Sequence, residues 1–143
     1  MGFGYGPIPS WSQKNVAAPT GTASTTLVMA GLAGTITPLV TGRILIMVSG
    51  CIASGTTNDG GKLQLSYNTG SVPSNGDALT GNQTGTVAIF TADLASTDKY
   101  GFSLQSFVST LTVGSAYWLD LAFAAVTGGT CTLTDVTITA LEL

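Results

Sequence analysis

The sequence predicts an all-β fold: an antiparallel two-sheet β-sandwich of jelly-roll type, with about eight strands, behind an extended N-terminal arm. Three observations predict it. Apolar and polar residues alternate with period two along most of the chain, Gly, Asn, Pro and Thr interrupt that alternation about every ten residues, and no stretch carries the 3.6-residue period of an amphipathic helix. The alternative is an immunoglobulin-like sandwich. It is disfavoured because Trp118, although it lies between Cys51 and Cys131, follows the first cysteine at too great a distance.

At 143 residues the chain is one domain by length, large enough to bury a core without staples. Its first 21 residues differ from the rest. Gly2, Gly4, Gly6, Pro7, Pro9 and Pro19 disfavour helix and sheet, while Phe3, Tyr5, Ile8 and Trp11 are sticky. Disordered tails are poor in aromatics, so residues 1–21 read as an arm that orders on a partner, and residues 22–143 as the sandwich.

The first two strands are expected over Thr25–Ala30 and Gly34–Leu39. "GRILIMVSGCIAS" follows, with Ile44, Ile46, Val48 and Ile52 on one face and Leu45, Met47 and Cys51 on the other. Apolar on both faces, it belongs in the middle of a sheet. "GKLQLSYN" is a half-buried strand, Leu63, Leu65 and Tyr67 inward and Lys62, Gln64 and Ser66 outward. Thr69–Gly85 is the longest strandless stretch and the natural place for a specificity loop. "TVAIFTA", "YGFSLQSFVS" and "AYWLDLAFAAV" supply three more strands. In "CTLTDVTITALEL" the apolar parity slips between Leu133 and Val136, as an extra residue near Asp135 would make it do in a β-bulge.

Charged residues are 8% of the chain and mean hydropathy is +0.43, against about 25% charged in an ordinary soluble domain. The surface is therefore neutral, hydroxyl-rich and partly apolar, with weak electrostatic protection against association. Such a chain is built to pack against other chains. Four basic residues, Lys14, Arg43, Lys62 and Lys99, against seven acidic ones give no phosphate-binding cluster, so no nucleic-acid partner is expected. No secretory signal or membrane span is recognisable, and a soluble protein made in a cytosol is expected.

The chemistry-bearing residues are sparse. There is no histidine, which removes Ser-His and Cys-His nucleophiles and the commonest general base. Glu142 is the only glutamate and lies next to the C-terminus, and the aspartates fall mostly in turns, which leaves no glycosidase pair. "TNDGG" and "SNGD" are turn chemistry and lack the alternating oxygen ligands of a calcium loop. No enzyme activity, cofactor or metal is expected. Cys51 and Cys131 read as small buried hydrophobes, a bridge between them being left open.

In "SAYWLDLAFAAVTGGT", Tyr117, Leu119, Leu121 and Phe123 share the core face, which puts Trp118, Asp120, Ala122 and Ala124 on the other. Asp120 is read as a solvated or interfacial charge beside a Trp/Ala-lined contact surface. The candidate partner-contact residues are thus Phe3, Tyr5, Trp11, Trp118 and Asp120.

The order "TTLVMAGLAGTITP", "GRILIMVSGCIAS", "DGGKLQLSYNTGSVPSNGDALTG", "FSLQSFVSTLTVGSAYWLDLAFAAVTGGTCTLTDVTITALEL" resembles the jelly-roll cement, or decoration, proteins of tailed-phage capsids, over roughly Thr22–Leu143. The resemblance lies in the pattern of turns and strands. It implies a non-enzymatic virion protein, made in the bacterial host cytoplasm, that binds the outside of an assembled lattice of major capsid protein and holds it against the pressure of packaged DNA. Its partners would be the major capsid protein and itself, as a homodimer or a trimer. The alternative is a tail-fibre or spike knob that binds a host receptor or glycan, with Tyr67, Tyr100 or Trp118 stacking on a sugar ring.

Overall fold

A computed structural model describes residues 4–91 and 98–143, which hold nine β-strands and no helix. The strands are β1 (Trp11–Val16), β2 (Val28–Met29), β3 (Gly34–Ile36), β4 (Ile44–Ser54), β5 (Gly60–Asn68), β6 (Asn82–Thr91), β7 (Tyr100–Val108), β8 (Tyr117–Ala125) and β9 (Cys131–Glu142). They form two antiparallel sheets in the orders β1-β9-β4-β7 and β2-β8-β5-β6, with β3 also on β8. Only β5 and β6 are hydrogen-bonded neighbours that follow each other in sequence. Most other connections cross from sheet to sheet, as in a jelly roll.

The alternation read from the sequence builds the core. Ile44, Ile46, Val48 and Ile52 from β4 meet Leu63 and Leu65 from β5 and Leu119, Leu121 and Phe123 from β8, all buried. β4 is central in its sheet, between β9 and β7, as its two apolar faces require. In β9 the parity slip is a bulge: Ser49 pairs with Thr137 and Cys51 with Thr134, so Gly50 opposes two residues, Asp135 and Val136. Asp135 takes the left-handed conformation (φ 55°) that the extra residue needs. Past it, Val136, Ile138 and Ala140 return to the core.

Three expectations change. The ninth strand comes from the segment expected to be an arm, since residues 11–16 pair with β9 of the same chain, from Trp11 opposite Leu141 to Val16 opposite Val136. Residues 4–10 precede it without regular structure. The first two sandwich strands shrink to two and three residues, because Gly31 (φ 71°) and Ala33 (φ 53°) turn the chain between them. Gln64 and Ser66, expected to face outward into solvent, are buried. The stretch after β5 folds back over them: Ser66 Oγ donates to the Thr80 carbonyl and Gln64 Nε2 to that of Thr84.

Cys51 and Cys131 are free thiols, and burial pushes the Cys131 thiol up to about 12. They pair with Thr134 and Ser54 respectively, at different levels of the β4–β9 ladder. Cys131 is buried and Cys51 partly so.

Candidate contact face

Of the residues expected to meet a partner, Trp118 and Asp120 are the ones the structure corrects. They do leave the sandwich core by strand parity, but the face they join is covered by the chain's own loops. Trp118 is 4% exposed and Asp120 1%. The indole packs with Leu27, Met29 and Ala122, and the segment expected to be a specificity loop straps this patch down. Met29 exchanges backbone hydrogen bonds with that segment, donating to Asp77 and accepting from Gly76. Gly81 (φ 82°) completes the cover, and a side chain there would run into the Trp118 ring at its Cη2.

Asp120 is a clasp for the β2–β3 turn. Its Oδ2 accepts the Gly31 N–H at 3.0 Å, and its Oδ1 the Leu32 N–H at 2.8 Å and its neighbour Leu121's at 2.7 Å. Burial pushes its carboxyl up to about 6, although these hydrogen bonds and the charge of Lys14 act in the opposite direction.

Two more carboxylates are used the same way. Asp59 accepts the backbone N–H groups of Thr127 and Gly129, and these hydrogen bonds outweigh its burial and hold it below the usual carboxylate range. Glu142 goes further. Its two oxygens accept backbone N–H groups from Ser10 (2.9 Å), Leu39 (2.9 Å), Val40 (2.8 Å), Thr41 (2.7 Å) and Gly42 (3.2 Å). Burial alone would raise its pKa, but this nest of donors pulls it well below the ordinary value. Gly42 (φ 66°) sits so close to the Leu111 carbonyl that no side chain fits. Each of the three carboxylates is thus committed to backbone donors in a different part of the fold. Among the described residues, no three His, Cys, Asp or Glu side chains gather.

The open surface lies on the other sheet. Trp11 stands opposite Leu141, Leu141 opposite Leu45, and Leu45 opposite Phe107, so four apolar side chains form one row across the outer face of β1-β9-β4-β7. Trp11 is 70% exposed, Leu141 41% and Phe107 51%. The next row is Gln13, Thr139, Met47 and Gln105, and the one after it Asn15, Thr137, Ser49 and Ser103. None of these twelve carries a charge. The first row is wholly apolar with an aromatic residue at each border, the two behind it are mostly neutral polar, and no charge interrupts the three.

Trp11 therefore lies on this open face, and the other expected N-terminal residues relate to it differently. Tyr5 is 98% exposed in the irregular segment before β1, and Phe3 lies outside the described residues. Sequence reasoning did not single out Leu45, Phe107 and Leu141 for the open row, although the two-faced apolar pattern of β4 is their signal. It missed Glu142 too, whose signal is a charge in phase with Val136, Ile138 and Ala140.

Comparison with solved structures supports the architecture. A chain in the structure of infectious bursal disease virus, Gx strain, aligns with a TM-score of 0.54 at 10% identity over 95% of this chain. This chain spans 33% of the length of that one. Lower likenesses are an Eiger TNF from S. frugiperda (TM-score 0.42, 14% identity, 93% of this chain and 85% of that one) and the sugar-binding EclA C-terminal domain (TM-score 0.39, 14% identity, 95% and 81%). No family model and no curated protein matches the chain. What the first likeness establishes is the two-sheet jelly-roll fold.

Proposed function

We propose that this protein is a non-enzymatic virion protein, a cement or decoration protein that binds the outer surface of an assembled capsid lattice and stabilises it against internal DNA pressure. The observation that carries the reading is the asymmetry of the sandwich. The outer face of β8 and β5 is sealed by the chain's own strap, whereas the outer face of β9 and β4 is open, uncharged and crossed by the Trp11–Leu141–Leu45–Phe107 row.

A protein of this size has no stability reason to leave such a row in water. Seated on major capsid protein, it would gain about 25 cal/mol for each Å² of apolar surface removed from water. Tyr5 and Ile8, exposed just ahead of Ser10, which the Glu142 nest fixes beside the same end, extend the reach of each copy to a neighbouring subunit. Linking copies adds avidity with no new kind of contact. The shared jelly-roll architecture with a chain of a virus structure is in keeping with a structural role. The knob alternative loses one of its three candidate sugar-stacking rings, because Trp118 is buried.

The test is co-sedimentation of the purified protein with DNA-free capsids. Wild-type protein should pellet with capsids, and the double variant Trp11→Glu/Leu141→Glu should stay in the supernatant while keeping the wild-type melting temperature to within a few degrees. Equal binding by the two would refute the assignment of this face.

A further inference from the structure

Among the described residues no strand covers the long edge of the open sheet, and its side chains complement themselves. β7 pairs with β4 over nine residues without a register shift and, among the described residues, has no hydrogen-bonded strand on its other side. It contains no charge and no proline. Natural edges normally carry such residues, or bulges or very short strands, to prevent strand addition. The other edges of this protein do: β2 and β3 are two and three residues long, β6 carries a register shift near Gly85 (φ 73°), and β1 carries Lys14. β7 has none of these.

We infer that β7 is the self-association edge, pairing antiparallel with β7 of a second copy about a two-fold axis at Leu104. The reason for a second copy as occupant is the order of side chains. A two-fold at Leu104 sets position i opposite the partner's position 208 − i, so residues at equal distances on either side of Leu104 face each other. On the outer face, Phe107 then lies over the partner's Gly101, and Ser103 opposite the partner's Gln105, each contact made twice. Gly101 has open space where a side chain would be, and Phe107 is half in water. A ring laid across a strand glycine fills that gap and shields the backbone.

On the inner side, the partly exposed Leu104 meets the partner's Leu104. Two copies of a chain with net charge −3 repel, and this edge is where they approach with no charge at the contact. The product is one eight-stranded sheet whose outer face continues from copy to copy. The inference concerns the free protein and stands whether or not that face binds a capsid.

Sedimentation velocity of the full chain, without capsids, tests it. The expected result is a dimer at micromolar concentration. Gly101→Lys, which blocks the seat of Phe107 and sets charges about the axis, should raise the dimer dissociation constant at least about tenfold, with Gly101→Ala close to wild type. Leu104→Cys should form a disulfide-linked dimer on mild oxidation, and Val87→Cys, exposed on β6, should not. A monomer at all concentrations, a trimer, or a dimer indifferent to Gly101→Lys would overturn the assignment. Dimerisation as described without capsid binding would leave this inference intact and remove the proposed function.

Discussion

The Glu142 carboxylate accepts the backbone N–H of Ser10 at 2.9 Å, across 132 positions of sequence. One side chain thereby fastens the N-terminal segment, the Leu39–Gly42 turn and the last strand to each other, and sets Trp11 beside Leu141 on the open face. A buried carboxylate with five N–H donors is costly to remove, because every donor is left without its partner.

Glu142→Ala is therefore expected to destabilise the fold by about 3 kcal/mol or more. Urea denaturation measures the loss. Limited proteolysis should cut the variant near residue 10 first, since β1 loses its clasp before the core opens. A variant as stable as wild type would mean that the nest contributes nothing net.

Asp120 and Glu142 give the stability curve opposite slopes. Asp120 titrates near 6 when folded, against 3.8 for the ordinary group. The native state then binds the extra proton between those values, and stability falls as pH rises from about 4 to 6, by up to about 3 kcal/mol. The folded-state pKa of Glu142 is depressed from 4.5, so its contribution is present above that pH and lost as pH falls below it. Maximum stability is thus expected on the acid side of neutrality. Denaturation from pH 4.5 to 7 should show wild-type stability declining, and Asp120→Asn should flatten that decline.

Trp118→Ala should behave as a core truncation, costing about 3–5 kcal/mol, even though the residue lies outside the main sandwich core. Gly81→Val should be destabilising through the same patch, since its side chain would strike the indole. If Trp118→Ala left the melting temperature unchanged, the strap over this face would be loose.

Capsid affinity should respond weakly to salt. With no charge in the three rows of the contact face, raising NaCl from about 0.05 to 0.5 M should change the dissociation constant less than about threefold. Isothermal titration or quantitative co-sedimentation across that range checks it, and a steep loss would place the contact on the charged loops instead.

Much of this was legible in the chain. Period-two alternation placed β4 to β9, because a residue facing a sandwich core has to be apolar whatever its neighbours are. The slip at Asp135 was readable because a bulge shifts the parity of everything after it. The faces outside the core were harder. Alternation says that Trp118 and Asp120 leave the core, but not that residues 69–81, far off in sequence, lie over them. Local pattern carries no record of a strap whose contacts are made by backbone groups. The N-terminal segment was misjudged for a related reason. Between Pro9 and Pro19 it holds no glycine or proline, and Trp11–Val16 pairs through backbone hydrogen bonds to β9 that its polar side chains do not advertise. The Trp11–Leu141–Leu45–Phe107 row needs the register of four strands, which is a property of the fold and not of any one segment.

The central claim, a capsid decoration protein seated by its open sheet face, is tested most directly by counting copies per particle. Quantitative mass spectrometry of purified virions gives the ratio of this chain to major capsid protein. The account predicts a fixed ratio that amounts to hundreds of copies per particle. A count of a few to a few dozen would place the protein in the tail and contradict it.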